Sequence, residues 1–85
     1  MPTVEIYTSS LCGYCHAAKR LLTKKGVSFA EINVSKEPHR RAEMMSRSGG
    51  RRSVPQIFIG PTHVGGCDEL FDLDMSGELD PLLAG

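Results

Sequence analysis

Hydrophobic and polar positions alternate at the start of the chain, with Val4, Ile6 and Thr8 on one parity and Thr3, Glu5 and Tyr7 on the other. A period of two predicts a strand, read as a buried one that opens the chain, and the polar run Thr8-Ser9-Ser10 ends it. The period then changes. From Gly13 to Lys25, Cys15, Ala18, Leu21 and Leu22 recur at helical spacing, Lys19, Arg20, Lys24 and Lys25 fall mostly elsewhere, and Gly26 supplies the stop. Phe29, Ile32 and Val34 mark a second strand over 27–34. Ser35 offers a cap and Pro38 suits the first turn of a second helix, roughly Lys36 to Arg47, which Gly49-Gly50 ends. With only Ala42, Met44 and Met45 to bury, it is expected to be the more exposed helix. Gln56-Ile57-Phe58-Ile59, the turn Gly60-Pro61-Thr62 and the returning His63-Val64-Gly65 predict a hairpin. Gly66 follows as a hinge. Cys67, Leu70, Phe71 and Met75 fit one face of a third helix, Asp68 and Glu69 suit its positive first turn, and Gly77 caps its far end. A last helical turn is expected over Asp80 to Leu83. The order strand, helix, strand, helix, strand, strand, helix requires a parallel pair joined by a helical crossover, then an antiparallel hairpin: an α/β fold with a four-stranded mixed sheet.

Eighty-five residues with 40% apolar content suffice for one core, so residues 1–85 are expected to form a single domain. Ten basic residues balance ten acidic ones, which leaves no electrostatic footprint for a nucleic-acid backbone. Neither a signal peptide nor a membrane-length apolar stretch stands in the sequence, and the expectation is a cytoplasmic monomer with no membrane partner. Composition changes the picture most through cysteine. Three cysteines cannot pair off as a secreted disulfide framework, and two of them stand in Cys12-Gly13-Tyr14-Cys15. That spacing points to redox chemistry or metal binding.

A cysteine at the mouth of a helix turns its sulfur to unsatisfied backbone N–H groups and the positive end of the dipole, which favours thiolate. Cys12 holds that position. Cys15 lies one turn further in on the same side, near enough for a disulfide but less open to a bulky substrate. Cys12 therefore attacks and Cys15 resolves. Two plain core cysteines are the bland alternative.

Four stretches carry a family resemblance: Val4-Glu5-Ile6-Tyr7-Thr8, Cys12-Gly13-Tyr14-Cys15-His16, Ser53-Val54-Pro55-Gln56-Ile57-Phe58-Ile59 and Gly65-Gly66-Cys67-Asp68-Glu69-Leu70. In this order and spacing the chain resembles a bacterial dithiol glutaredoxin over essentially its whole length, within the thioredoxin-like superfamily. The resemblance implies a glutathione-dependent oxidoreductase that reduces protein disulfides and glutathione mixed disulfides, with electrons supplied indirectly by NADPH and glutathione reductase. It implies a cis Pro55 that leaves the Val54 backbone free to pair with the glutathione cysteine, with Ser53 beside it. It also implies a site at Gly66, Cys67 and Asp68 for the γ-glutamyl end, and Tyr14 next to the glutathione sulfur. A trans proline, a buried apolar Cys67 and a solvent-facing Tyr14 are the plain alternatives. Tyr7 is expected in the core.

Two departures stand out. The family usually has lysine at the position of Ser9, where it meets the glutathione glycine carboxylate, so Arg51 or Arg52 is expected to substitute, with Arg51 the chosen candidate. Most dithiol members have proline where Gly13 stands, and glycine loosens the helix start. Gly13 also keeps open the alternative function, a [2Fe–2S] carrier that uses Cys12 and glutathione. Other rivals are a zinc site of Cys12, Cys15, Cys67 and a histidine, a Cys12–His16 hydrolase pair, and a redoxin served by thioredoxin reductase. His16 lacks an orienting third residue, and His39 and His63 are expected at the surface. Lys19 is a further candidate for stabilising the thiolate, and no resident metal is assigned.

Overall fold

The computed structural model describes residues 2–85. Its elements run β1 (Val4–Thr8), α1 (Gly13–Lys24), β2 (Ala30–Asn33), α2 (Arg40–Arg47), β3 (Gln56–Ile59), β4 (Thr62–Gly65), α3 (Cys67–Met75) and α4 (Leu79–Ala84). The strands form one mixed sheet in the order β2-β1-β3-β4. β1 pairs parallel with β2 and antiparallel with β3, and β3 pairs antiparallel with β4. This is the α/β arrangement that the element order requires. Among the described residues, no helix is long and apolar enough to cross a membrane.

The central strands are covered on both faces. Val4 and Ile6 of β1 and Ile57 and Ile59 of β3 pack with Ala18, Leu21 and Leu22 of α1, Leu70 of α3 and Leu79 and Leu83 of α4. On the other face Tyr7, Ile32, Val34 and Phe58 enclose Met44 of α2. Tyr7, on the parity opposite to Val4 and Ile6, is fully buried, as expected of a core residue. The Tyr7 hydroxyl resolves the cost of burial by donating to Glu43 and accepting from Arg47 Nη1 at 2.8 Å. Arg47 reaches further, to Glu5 at 2.8 Å and over the Phe58 ring at 4.2 Å.

The second helix starts later than its pattern predicts. Pro38 has no N–H to give and disfavours helical backbone at Glu37. The segment before Arg40 is instead a set of turns, in which Asn33 Oδ1, not Ser35, accepts the N–H groups of Ser35 and Lys36 at 2.9 and 3.1 Å. Ser35 Oγ faces the other way and accepts the Ser10 N–H. The second strand is likewise shorter than 27–34, because Val27 and Phe29 fold onto the α1 side of the core instead of pairing. Ala42, Phe71 and Met75 turn out exposed, Met75 at 84%. The buried face of α3 is Cys67 and Leu70. The last helix is longer than one turn, because Leu79 and Leu83 span it to reach the core.

Candidate functional site

Cys12 is the N-cap of α1. Its backbone is extended, with φ −111° and ψ 107°, and its sulfur accepts the Cys15 N–H at 3.2 Å, the place a serine or aspartate takes at most helix starts. The first turn of α1 contains no acidic residue. A thiolate on Cys12 is thus the one anion available to the unpaired amides and positive dipole end of this helix. Leu11, immediately before it, holds left-handed backbone at φ 59° with its side chain wholly exposed. Cys15 is 1% exposed. Burial pushes its thiol up to about 12, and the hydrogen bond and negative charge of Cys12 push the same way, against a smaller pull from the Ser9 backbone and Lys19. All three cysteines are free thiols.

Across from Cys12, the Val54 carbonyl oxygen lies 4.0 Å from its sulfur. The Val54–Pro55 peptide is cis, as the resemblance implies. The loop before it has no regular structure, yet three successive carbonyls are each held by a side chain. Ser48 Oγ donates to Arg51 O at 3.1 Å, Arg41 Nη1 to Arg52 O at 2.8 Å and Gln56 Nε2 to Ser53 O at 3.0 Å. Among the described residues, none takes up the Val54 N–H.

Tyr14, Val54, Pro55, Cys67 and Asp68 line an open cleft of about 140 Å³. Sequence positions 14, 54–55 and 67–68 are brought together because α1 and α3 begin at the same end of the sheet as β3. Cys67 and Asp68 are the first two residues of α3, so the unpaired amides of that helix border the cleft. Cys67 is buried, which raises its thiol pKa, with the Asp68 charge adding to the effect. Gly66 is the N-cap residue of α3, and Glu69 Oε1 accepts its N–H at 2.6 Å. The same oxygen accepts from Arg51 Nη1 at 3.2 Å. These contacts, the Gly66 N–H first, hold the Glu69 carboxyl below its ordinary range. Gly65 next door has φ +116°, a backbone that favours glycine, and a Cβ there would stand 2.5 Å from Glu69 Oε1 and displace the capping carboxylate.

The structure distributes the other candidates as follows. Arg51 sits at the α3 start on Glu69, and Arg52 is exposed with its carbonyl held by Arg41. Ser53 is exposed and its hydroxyl oxygen accepts from Gln56 Nε2 at 3.2 Å. Lys19 is engaged by Glu31 at 3.0 Å, and Glu31 in turn accepts from the Thr8 hydroxyl at 2.7 Å. His16 and His39 are exposed, whereas His63, expected at the surface, is half-buried against Phe58. No three His, Cys, Asp or Glu side chains converge as metal ligands among the described residues. A larger groove of about 860 Å³ runs along α1 from Gly13 to Lys24, but α1 alone lines it. Two residues were missed from sequence, Gln56 and Glu69. The signals were present: a primary amide heading an apolar run, and a glutamate three residues after a helix-starting glycine.

Comparison with known proteins agrees with this geometry. The family model "Glutaredoxin" matches residues 4–64. Glutaredoxin 3 of Escherichia coli (strain K12) is 57% identical over 83 residues, which is 98% of this chain and 99% of that protein. The solution structure of a glutaredoxin from Brucella melitensis is 55% identical with a TM-score of 0.84, over 98% of this chain and 89% of the other. A crystal structure of a buckwheat glutaredoxin–glutathione complex reaches a TM-score of 0.86 at 30% identity, over 98% of this chain and 77% of the other. A cysteine thiol capping a helix beside a cis-proline loop, in a fold and sequence shared with these proteins, places the chain in the glutaredoxin family, the glutathione-dependent thiol-disulfide oxidoreductases.

Proposed function

We propose that the cleft between Tyr14, the Val54–Pro55 loop and the start of α3 holds glutathione with its sulfur toward Cys12. The observation that carries this reading is the position of Cys12 Sγ, which itself caps the start of α1 and lies 4.0 Å from Val54 O. The Val54 N–H, which no group among the described residues takes up, and the Val54 carbonyl, met only by the Cys12 thiol, suit an extended peptide that pairs in strand fashion. The Gly66 N–H is held by Glu69, but the α3 amides of Cys67 and Asp68 suit a carboxylate, and the Asp68 side chain an ammonium group, which together are the γ-glutamyl end. Ser53 flanks the same loop, and Tyr14 offers an amphipathic ring beside the sulfur. Arg51 has five N–H donors and gives one to Glu69, so others remain for the remaining carboxylate.

In the first step the Cys12 thiolate attacks the glutathione sulfur of a mixed disulfide. A Cys12–glutathione disulfide forms, the original sulfur–sulfur bond breaks, and the partner leaves as a thiolate that takes a proton from water. A second glutathione thiolate then attacks the bound glutathione sulfur, which releases glutathione disulfide and restores Cys12. On a protein disulfide, Cys15 instead attacks Cys12 and expels the reduced substrate. Residues 1–85 act in this reading as one cytoplasmic, monomeric unit, with glutathionylated or disulfide-bonded proteins as substrates and NADPH feeding electrons through glutathione reductase.

Turnover of a small glutathione mixed disulfide, coupled to glutathione reductase or to thioredoxin reductase, tests the donor; turnover with the second alone refutes the glutathione reading. Cys12→Ser is expected to abolish turnover, and Cys15→Ser to retain deglutathionylation while losing protein-disulfide reduction. A second reading follows from Gly13, whose surroundings are open to 4 Å. Of the three thiols Cys12 alone is not buried, so a [2Fe–2S] cluster would take Cys12 from each of two copies, with glutathione completing the ligand set. Visible absorption of freshly purified protein distinguishes the two.

A further inference from the structure

The mechanism leaves one buried polar group unexplained. Gln56 begins β3, an interior strand, and its side chain is wholly buried on the α2 face of the sheet beside Phe58. A primary amide without partners in such a place is costly, yet every polar atom of this one is engaged. Nε2 donates both to Ser53 O at 3.0 Å and to Ser53 Oγ at 3.2 Å. Oε1 lies 2.7 Å from His63 Nε2.

These contacts fix the roles of both side chains. Because Nε2 faces two acceptors, Oε1 is the atom turned to His63, and an amide oxygen can only accept. His63 Nε2 therefore carries the proton. Burial lowers the His63 pKa, with the Arg51 charge adding to the effect, and the neutral ring protonated on Nε2 satisfies the contact; so does the imidazolium. The His63 ring is fixed in its turn. It stacks on Phe58, its cross-strand partner, with centroids 4.8 Å apart and planes at 26°, and the Arg47 guanidinium also packs on the Phe58 ring.

Ser53 is the residue before Val54. Its carbonyl is the last of the three that side chains hold, so the peptide unit delivering the Val54 N–H is set by Gln56 and by nothing in the regular structure. Accepting from Gln56 Nε2 also leaves the Ser53 hydroxyl hydrogen free to point away from the protein interior.

We propose that Gln56, braced by His63, is a positioning residue for the oxidoreductase reaction: its carboxamide holds Ser53 so that the Val54 backbone meets the glutathione peptide opposite Cys12. The inference rests on the glutathione reading of the cleft and adds to it a residue that touches neither substrate nor sulfur. A displacement of the docking backbone by a fraction of an ångström weakens alignment of the attacked sulfur without altering the nucleophile. That separation provides the test.

Second-order rate constants of the reduced protein are to be measured with a small glutathione mixed disulfide, with a disulfide lacking glutathione and with iodoacetamide, which reports the thiolate alone. If the unaltered protein showed no preference for the glutathione disulfide over the other, the cleft reading itself would fail, and this inference with it. Given that preference, Gln56→Met is expected to slow the glutathione reaction about tenfold and to leave iodoacetamide within about twofold. Equal losses in both reactions, or no loss in either, would overturn the positioning role. His63→Phe keeps a ring for Phe58 but removes the donor and should give part of the same selective loss, which His63→Gln, a donor again, should restore. Restoration no better in His63→Gln than in His63→Phe would assign the effect to the ring and refute the bracing. Should a variant fail to fold, hydrogen exchange of the Gln56 carboxamide in the native protein decides. Slow exchange is expected, and exchange at the rate of a free side chain would overturn the proposal.

Discussion

Cys15 carries the residue-scale question of how a buried thiol can act at all. Burial pushes its pKa up to about 12, and the hydrogen bond and charge of Cys12 contribute. Those last two causes vanish when Cys12 is tied up in a mixed disulfide. Cys15 is then easier to ionise at the moment its attack is required. We expect the Cβ chemical shift of Cys15 to titrate at lower pH in the Cys12–glutathione adduct than in the reduced protein; an unchanged or higher midpoint would refute the coupling. The sign for stability follows from the same shift. A thiol pKa raised on folding gives stability that is fully present below the unfolded value of 9.0 and declines as pH rises toward about 12. The dithiol pair was legible at this scale from one spacing, because two cysteines three apart at a helix start leave few geometries. The brace formed by Gln56 and His63 was not, since the hydrogen bond joining them depends on the register of β3 with β4, which includes an irregularity between Ile57 and Phe58.

Among the elements, α3 shows how a helix start is completed when its N-cap residue has no side chain. Gly66 has no side chain to accept an amide, so only the returning half of a capping box exists, in which the Gly66 N–H donates to Glu69 Oε1. Glu69→Ala is expected to cost about 1 kcal/mol in urea unfolding, as loss of a cap does. The Glu69 pKa is lowered on folding, so its contribution is present above the ordinary value of 4.5 and is lost as pH falls through the lowered one. The difference between native and Glu69→Ala stabilities should therefore shrink in acid, and a constant difference from pH 7 to pH 3 would argue against the ion. Element types and order were readable from periodicity alone. Boundaries were less so where local chemistry intervened: Asn33 took the turn expected of Ser35, and Pro38 delayed α2 to Arg40.

For the molecule as a whole, the sheet divides the interior into two apolar clusters that share strands but no side chains. Leu22, on the side of α1, and Met44, on the side of α2, are both fully buried. Truncation of either to alanine is expected to cost about 2–5 kcal/mol. Because the sheet separates them, the double variant should lose the sum of the two within about 0.5 kcal/mol, measured by denaturant unfolding. A large coupling would mean that the two faces relax together. The sequence showed the α1 cluster plainly, through Ala18, Leu21 and Leu22. It concealed the second, because α2 has a polar composition and buries Met44 alone, leaving Arg47 to cover aromatic rings with its charged end.

The two working sulfurs differ sharply in access, Cys12 at the lip of the cleft and Cys15 sealed beneath it. No outside molecule can meet the inner one first. A disulfide therefore reaches the inner thiol by exchange through the outer one, as through a turnstile, whereas an alkylating agent stops at the outer one, and solvent exposure alone imposes that order.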